Sequence, residues 1–301
     1  MKVSGATAAV YVNAAAISHM GCVRTNNEDN LFFNGDMMRM QEVNGGVRLS
    51  HHFRGKTHLF AVCDGMGGLN RGERASLIAT RALRRLYKPL GNAHAEEMIR
   101  EHCARVSEMI WKDTQKTGEG KKQGTTLALL MLDRDVVRVA NVGDSRVYMV
   151  RMGKLVQISM DHTQVYTQML RGEITREQAR KHEMGNIINQ YLGMARRNQP
   201  VNFVYARSFS LCNSDRFFIC SDGASDLIPF EVLEEVLTGN ASPEECCRII
   251  TEMALEAGGK DNITCIVGDI SSASLPPQTE QDLKNLHVLM DKGGESETTQ
   301  G

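Results

Sequence analysis

The chain has no excess of charge of either sign: 35 Lys and Arg stand against 36 Asp and Glu over 301 residues, a formal balance of -1. No global field therefore draws it to nucleic acid or to an anionic membrane, and any charge logic must be local. It also lacks cysteines at metal spacing. The eight cysteines (22, 63, 103, 212, 220, 246, 247, 265) form no C-x-x-C pair, which argues against zinc knuckles and a disulfide framework and leaves reduced, buried thiols. Long hydrophobic runs are absent too. The first segment, MKVSGATAAVYVNAAAISHMG, carries one Lys and is broken by Asn13, so it fits neither a secretory leader nor a membrane span. A soluble, cytoplasmic protein is expected, with no nucleic acid or membrane as partner. There is no G-x-x-x-x-G-K-[ST] loop and no internal repeat, so a nucleotide-driven enzyme of that type is excluded. At this length one large domain or two small ones can bury a core without staples.

What is present is a series of short strand-like runs: THLFAVC (57–63), TTLALLML (125–132), VVRVANV (136–142), SRVYMV (145–150), RFFICS (216–221) and NITCIVGDI (262–270). Several are apolar at consecutive positions, the mark of strands covered on both faces. Helices should do the covering. Ile78, Ala79, Ala82, Leu83 and Leu86 recur at helical spacing, with Arg81, Arg84, Arg85 and Lys88 on the other side. A second stripe runs Met98, Ile99, His102, Cys103, Val106, Met109, Ile110, and SPEECCRIITEMALEA (242–257) offers Ser242 as an N-cap with Pro243 in the first turn. Trp111 is expected in the core. Sheets flanked by amphipathic helices make a layered sandwich.

Two segments depart from this plan. MMRMQEVNGGVRLSHH (37–52) carries a hairpin signal at Asn44-Gly45-Gly46, with His51 and His52 as exposed strand residues. DHTQVYTQMLRGEITREQARKHEMGN (161–186) predicts short helices, Thr175 and Gln178 fitting a capping box; a polar excursion of this kind is often a lid or recognition flap. From about Ser271 the chain turns polar, and 271–301 is expected to be a disordered tail with a short helix near DLKNLHVLM.

Asp64-Gly65, in LFAVCDGMGG, is by itself an ordinary turn dipeptide. The theme recurs, however: Asp222-Gly223 in FFICSDG, Asp144 closing the apolar run of VANVGDSR, Asp261 just before one in GGKDNITCIV, and Glu28-Asp29 ahead of Leu31 to Phe33. If these strand rims share one edge of the sandwich, each like-charge pair at about 4 Å costs roughly 4 kcal/mol at an effective dielectric near 20. A cation must relieve that repulsion. Carboxylates, with the Gly65 carbonyl made approachable by its glycine neighbours, are hard oxygen donors that suit Mg²⁺ or Mn²⁺ rather than zinc. A pair of such ions activates water for attack at phosphorus, and Arg24, four residues before Glu28, has the planar fork that clamps phosphoryl oxygens. The plainer alternative, separate turns and a surface ion pair for Arg24, stays open at this point.

GCVRTNNEDN, FAVCDGMGG, GTTLALLML, VANVGDSRVY, DHT, FFICSDGASDLI and GGKDNITCIV, in this order and spacing, resemble the metal-dependent protein phosphatase family (protein phosphatase 2C-like) in its compact bacterial form. The match runs from about residue 17 to 270. The resemblance implies an α+β fold, a four-layer α/β/β/α sandwich whose central antiparallel β-sandwich is flanked by helices, with a binuclear Mn²⁺/Mg²⁺ site at one edge. It implies one catalytic domain over 1–270 with a flap over about 161–193. The implied activity is hydrolysis of phosphoserine and phosphothreonine in proteins by metal-activated water, without a covalent phosphoenzyme, opposing a bacterial Ser/Thr kinase. Its partners would be phosphorylated proteins, and a monomer is expected. Carried over, Asp64 bridges the two ions, with the Gly65 carbonyl on one of them and Asp222 and Asp261 on the other; Glu28 and Asp29 hold waters or complete coordination. Asp144 and Asp222 match a third, weaker ion site, and Arg24 grips the substrate phosphate.

Two positions depart from part of the family. Met66 and Leu69 stand where relatives often carry a histidine, so the general acid is left to a metal-bound water. No cysteine is followed by Arg six positions later, which removes the cysteine-dependent phosphatase mechanism. A ligand-depleted scaffold is the competing class, weighed against the full set of acids present here.

Overall fold

The structure is a computed structural model that describes residues 9–37, 46–67, 71–90, 94–116, 123–180, 182, 184–185, 187–195 and 204–291. In chain order come β1 (Val10–His19), β2 (Asn30–Phe33), β3 (Asp36–Met37), β4 (Val47–Gly55), β5 (Thr57–Cys63), β6 (Gly65–Gly67), α1 (Gly72–Ala82), α2 (Ala95–Lys116), β7 (Gln123–Thr125), β8 (Leu127–Asp133), β9 (Val136–Val142), β10 (Arg146–Arg151) and β11 (Lys154–Gln157). The second half adds α3 (Gln164–Leu170), α4 (Arg176–Arg180), β12 (Tyr205–Ser210), β13 (Arg216–Cys220), α5 (Asp222–Ser225), α6 (Phe230–Thr238), α7 (Pro243–Glu256), β14 (Ile263–Ser271) and α8 (Glu280–Asp291). Among these residues two six-stranded sheets form, β11-β10-β13-β14-β1-β4 and β12-β9-β8-β5-β2-β3, with β6 and β7 as a separate ribbon.

The consecutive apolar runs are explained by two cores meeting each sheet. Along β5, Phe60 and Val62 face the cluster between the sheets, while Leu59, Ala61 and Cys63 face α1 and α2. Along β1, Ala14 and Ala16 point between the sheets, and Ala15 and Ile17 point to the layer of α5, α6 and α7. The layers are therefore helix, sheet, sheet, helix, the fold class expected.

The caps are where the sequence puts them. The Ser242 hydroxyl accepts from the Glu245 amide at 3.2 Å with Pro243 opening the helix. Thr175 and Gln178 make the reciprocal pair, at 2.7 and 3.1 Å. Seven cysteines are buried, and Cys22 is exposed.

Two expectations need correction. Trp111 is not core: it is 37% exposed, because the buried stripe of α2 runs through Ile99, Cys103, Val106 and Ile110 and leaves Trp111 on the flank. The stretch after Ser271 is not a free tail throughout, since Leu275 and Leu286 are buried in the between-sheet core; the apolar positions of α8 give a polar-looking helix one face to bury. The Asn44-Gly45 turn lies outside the described residues, as do Leu69 and residues 292–301, and β4 pairs with β1. No helix among the described residues is long and apolar enough to cross a membrane.

Candidate active site

Register gathers the acid-bearing ends. In one sheet Asn30 pairs with Cys63, Val62 with Ala128 and Leu127 with Val142; in the other Arg146 pairs with Cys220, and Cys220 with Cys265. The residues just outside those pairs are Asp29, Asp64, Asp144 and Asp222, and Asp261 lies two residues before Ile263, which opens β14 and pairs with His19.

Asp64 is fixed through its backbone, with its carboxylate among the other acids. Its N–H donates to Thr126 Oγ1 at 2.9 Å; its carbonyl accepts from the Thr126 amide and the Thr125 hydroxyl, both at 2.8 Å. Thr126 Oγ1 in turn meets Ser145 Oγ at 2.6 Å, next to Asp144. At position 65 only glycine fits: a Cβ would fall 2.5 Å from the Glu28 carbonyl and closer still to that of Gly72, and the Gly65 N–H donates to the Glu28 carbonyl at 3.2 Å.

Asn262, missed in the sequence, holds the other side. Its side chain donates to the carbonyls of Met20 and Asn26, both at 2.9 Å, and accepts from the Glu28 amide at 2.8 Å. Its place directly after Asp261 at the entry to β14 was the available signal. The clamp brings the loop of Arg24 and Glu28 onto Asp261, and Arg24 Nη2 donates to Asp261 Oδ2 at 2.7 Å with the arginine 53% exposed. Arg146 closes the far side, donating to Asp161 at 2.8 Å, Ser225 at 2.9 Å and Asp226 at 2.6 Å. His162 Nδ1 accepts from the Gly143 amide at 3.0 Å, and burial pushes its pKa down to about 4, so it stays neutral and fixes the turn before Asp144. Met66 offers no proton.

The acids perturb one another. Burial, then the charges of Asp29, Asp222, Asp144 and Asp261, hold the Asp64 carboxyl well above its ordinary range. Burial, then Asp222 and Asp161, does the same to Asp144. Burial raises Asp29 and Glu28 to about 7 each, with Glu73 adding to the shift of Glu28, and burial with Asp226 and Asp261 raises Asp222 to about 6. Among the described residues no three of these side chains close on one point as a finished coordination shell. Asp261 is turned onto Arg24. The donor set nevertheless fits hard cations. Asp29 Oδ1 and Asp222 Oδ1 are buried with no hydrogen-bond partner, and a buried anionic oxygen without a partner is costly unless a positive charge meets it.

Residues 48–257 match the family profile described as protein phosphatase 2C, and the chain belongs to that family. It is 30% identical over 239 residues to the serine/threonine phosphatase Stp of Listeria welshimeri, covering 77% of this chain and 91% of that one. It is 32% identical over 260 residues to the serine/threonine protein phosphatase PstP of Mycobacterium tuberculosis, covering 85% of this chain but 44% of PstP, so it spans less than half of that relative. The crystal structure of M. tuberculosis PstP superposes with a TM-score of 0.72 at 28% identity, over 87% of this chain and all of that one. The PstP catalytic domain in complex with two manganese ions gives 0.67 at 29% identity, again over 87% and 100%.

Proposed function

We propose that the chain is a metal-dependent serine/threonine protein phosphatase in which Asp64, the Gly65 carbonyl, Asp222 and Asp261 hold two Mn²⁺ or Mg²⁺ ions. Glu28 and Asp29 complete their surroundings, and Asp144 with Asp222 offers a place for a third. When bound, such ions supply a nucleophilic water near neutral pH and neutralise charge on phosphoryl oxygens.

The chain's own groups do the positioning. Arg24 stands at the rim, anchored through one nitrogen to Asp261, and its exposed fork is free to receive two phosphoryl oxygens in parallel. Thr125 and Thr126 fix the backbone of Asp64, and the Ser221 hydroxyl donates to Asp29 Oδ2 at 2.8 Å, setting which oxygen of Asp29 points away bare. Cys63, the cysteine beside Asp64, does not compete as a nucleophile, because burial holds its thiol far above its ordinary range. Direct transfer of the phosphoryl group to water is the consequence.

The observation that carries this reading is the pair of bare, buried oxygens on Asp29 and Asp222 inside a cluster of like charges. The natural substrates are phosphoproteins made by a Ser/Thr kinase, and the protein works in the cytoplasm as a monomer, with one catalytic domain to about residue 270 and the flap over about 161–193. The test is Mn²⁺-dependent phosphate release from a phosphothreonine peptide by wild type and Asp222→Asn. Turnover by wild type, lost in the variant, is expected; a wild type that stays inert in excess Mn²⁺ would favour the scaffold reading.

A further inference from the structure

Strand β4 ends one sheet and alternates strictly. Val47, Leu49 and Phe53 turn into the between-sheet core, so Arg48, Ser50, His52 and Arg54 turn to the opposite face, and all four are exposed. Its register with β1 is unbroken from Gly55 opposite Val10 to Val47 opposite Ser18. The helix layer on that face buries Ala15 and Ile17 of β1 and leaves the four side chains of β4 in solvent. The strand contains no acid.

Other arginines have found carboxylates: Arg74 holds Asp113, Arg216 holds Asp269, and Arg248 holds Glu245 and Glu252. Arg48 and Arg54 have no carboxylate partner among the described residues. Two of the acids bordering the face, Asp269 opposite Asn13 and Glu245 on α7, are thereby already taken. Glu244 lines a groove with Arg48 and Ser50 and is the acid left over there among the described residues. The Arg54 guanidinium lies 5.5 Å from the centroid of the Tyr11 ring, which holds that long side chain in place.

The basic face of α1 differs. Arg81, Arg84 and Arg85 stand at the C-terminal end of that helix and the turn after it, where cations meet the negative end of the helix dipole. A sheet has only a small net dipole, so the cations of β4 have no such local use. Alternate side chains on a strand stand about 6.6 Å apart, the same repeat as in an extended peptide. A peptide with an acid at every second residue therefore meets the stripe in step. One exposed ion pair contributes little, so the stripe serves a ligand that brings several carboxylates at once. The Arg48 end is the one nearer the acid cluster, since Val47 pairs with Ser18, and the next residue, His19, pairs with Ile263, two residues after Asp261.

We propose that the outer face of β4 docks an acidic, extended segment of the phosphoprotein substrate, separate from the phosphosite itself. The inference rests on the phosphatase reading above, and it makes the protein selective for substrates that carry such a segment.

The test uses a fluorescently labelled peptide that alternates Glu and Gly, and its Gln twin. Binding to the full chain is measured without metal; KM and kcat are then measured with Mn²⁺ on a phosphothreonine peptide joined to either segment by a Gly-Ser spacer. The acidic segment is expected to bind and to lower KM about tenfold against its twin, with kcat little changed. Arg48→Glu combined with Arg54→Glu should abolish both preferences and leave hydrolysis of p-nitrophenyl phosphate as in wild type. Arg81→Glu combined with Arg84→Glu, on α1, should leave both preferences intact. Equal binding of the two peptides overturns the docking face, as does a preference that survives the β4 variant or is lost in the α1 variant. If the peptides bind equally while phosphatidylglycerol vesicles bind wild type and not the β4 variant, the stripe serves a membrane instead. A binding preference that stays intact in a protein hydrolysing neither phosphopeptide nor p-nitrophenyl phosphate overturns the phosphatase reading and leaves the acidic docking face standing.

Discussion

Asp215 and Asp29 are equally buried, at 1% and 0% exposure, and are compensated in opposite ways. Asp215 receives Arg151 through both oxygens, at 2.9 and 2.6 Å, together with the Cys212 amide and the Gln278 side chain. Asp29 receives the Ser221 hydroxyl on one oxygen and nothing on the other, with Asp64, Asp222 and Asp261 as its charged neighbours. A bare oxygen alone does not separate the two kinds of site, because Asp133 also has one, yet its other oxygen lies 3.3 Å from Arg138. The distinguishing mark is a bare oxygen on an acid surrounded by other acids. Where the chain brings its own cation the acid is architectural; where it brings more acids, the cation has to come from solution.

Each side of that contrast can be broken separately. The largest effect is expected from Asp64→Asn, which should lower Mn²⁺-dependent hydrolysis of a phosphothreonine peptide about 10⁴-fold, or ~5.5 kcal/mol. The metal-free variant should be at least as stable as wild type, since one of several like charges is gone. Loss of stability together with activity would mean that Asp64 is architectural after all. Next, Asp215→Ala leaves the Arg151 charge buried and unpaired and should cost about 3–5 kcal/mol in urea unfolding, with turnover per folded molecule unchanged. Third, Mn²⁺ at about 100 times its dissociation constant should stabilise wild type by ~2.7 kcal/mol and leave Asp64→Asn unmoved, which a thermal melt with and without metal reads directly.

The smallest effect belongs to a buried group that has neither solution. His102 has an unpartnered Nε2, and burial followed by the charges of Arg105 and Arg85 lowers its pKa from 6.5 to about 4. Its folded value is depressed, so the unfolded chain binds more protons between those limits. The stability is fully present above pH 6.5 and is lost as pH falls toward 4. By linkage the loss is about 2 kcal/mol at pH 5, and His102→Gln should flatten that part of the profile.

The strands whose two faces both meet a core were legible because β5, β8, β9 and β13 must be apolar at successive positions. β1 was not, because its Ala14-Ala15-Ala16 run with Asn13 has little hydrophobic signal of its own. Small side chains suit a strand on which α7 packs closely, with the Cys247 thiol 3.4 Å from the Ala15 carbonyl. Acids at strand rims could be read from order along the chain; their meeting at one end depends on cross-strand register, which no single segment contains. Asn262, Thr126 and Ser145 escaped notice because a small polar residue beside a motif looks like ordinary strand or turn chemistry. Arg146 was hidden for the opposite reason, being read as part of an apolar strand whose polar end ties Asp161 to Asp226.

The Asn262 clamp also sets a time order. Its bonds to Met20 and Asn26 span 242 and 236 residues, so a growing polypeptide cannot organise the Arg24 loop until its last strand has been synthesised and has docked beside the first. An unfinished copy emerging from the ribosome therefore lacks the ordered Arg24 loop, and on the proposed role of Arg24 dephosphorylation begins only once synthesis of the sandwich is complete.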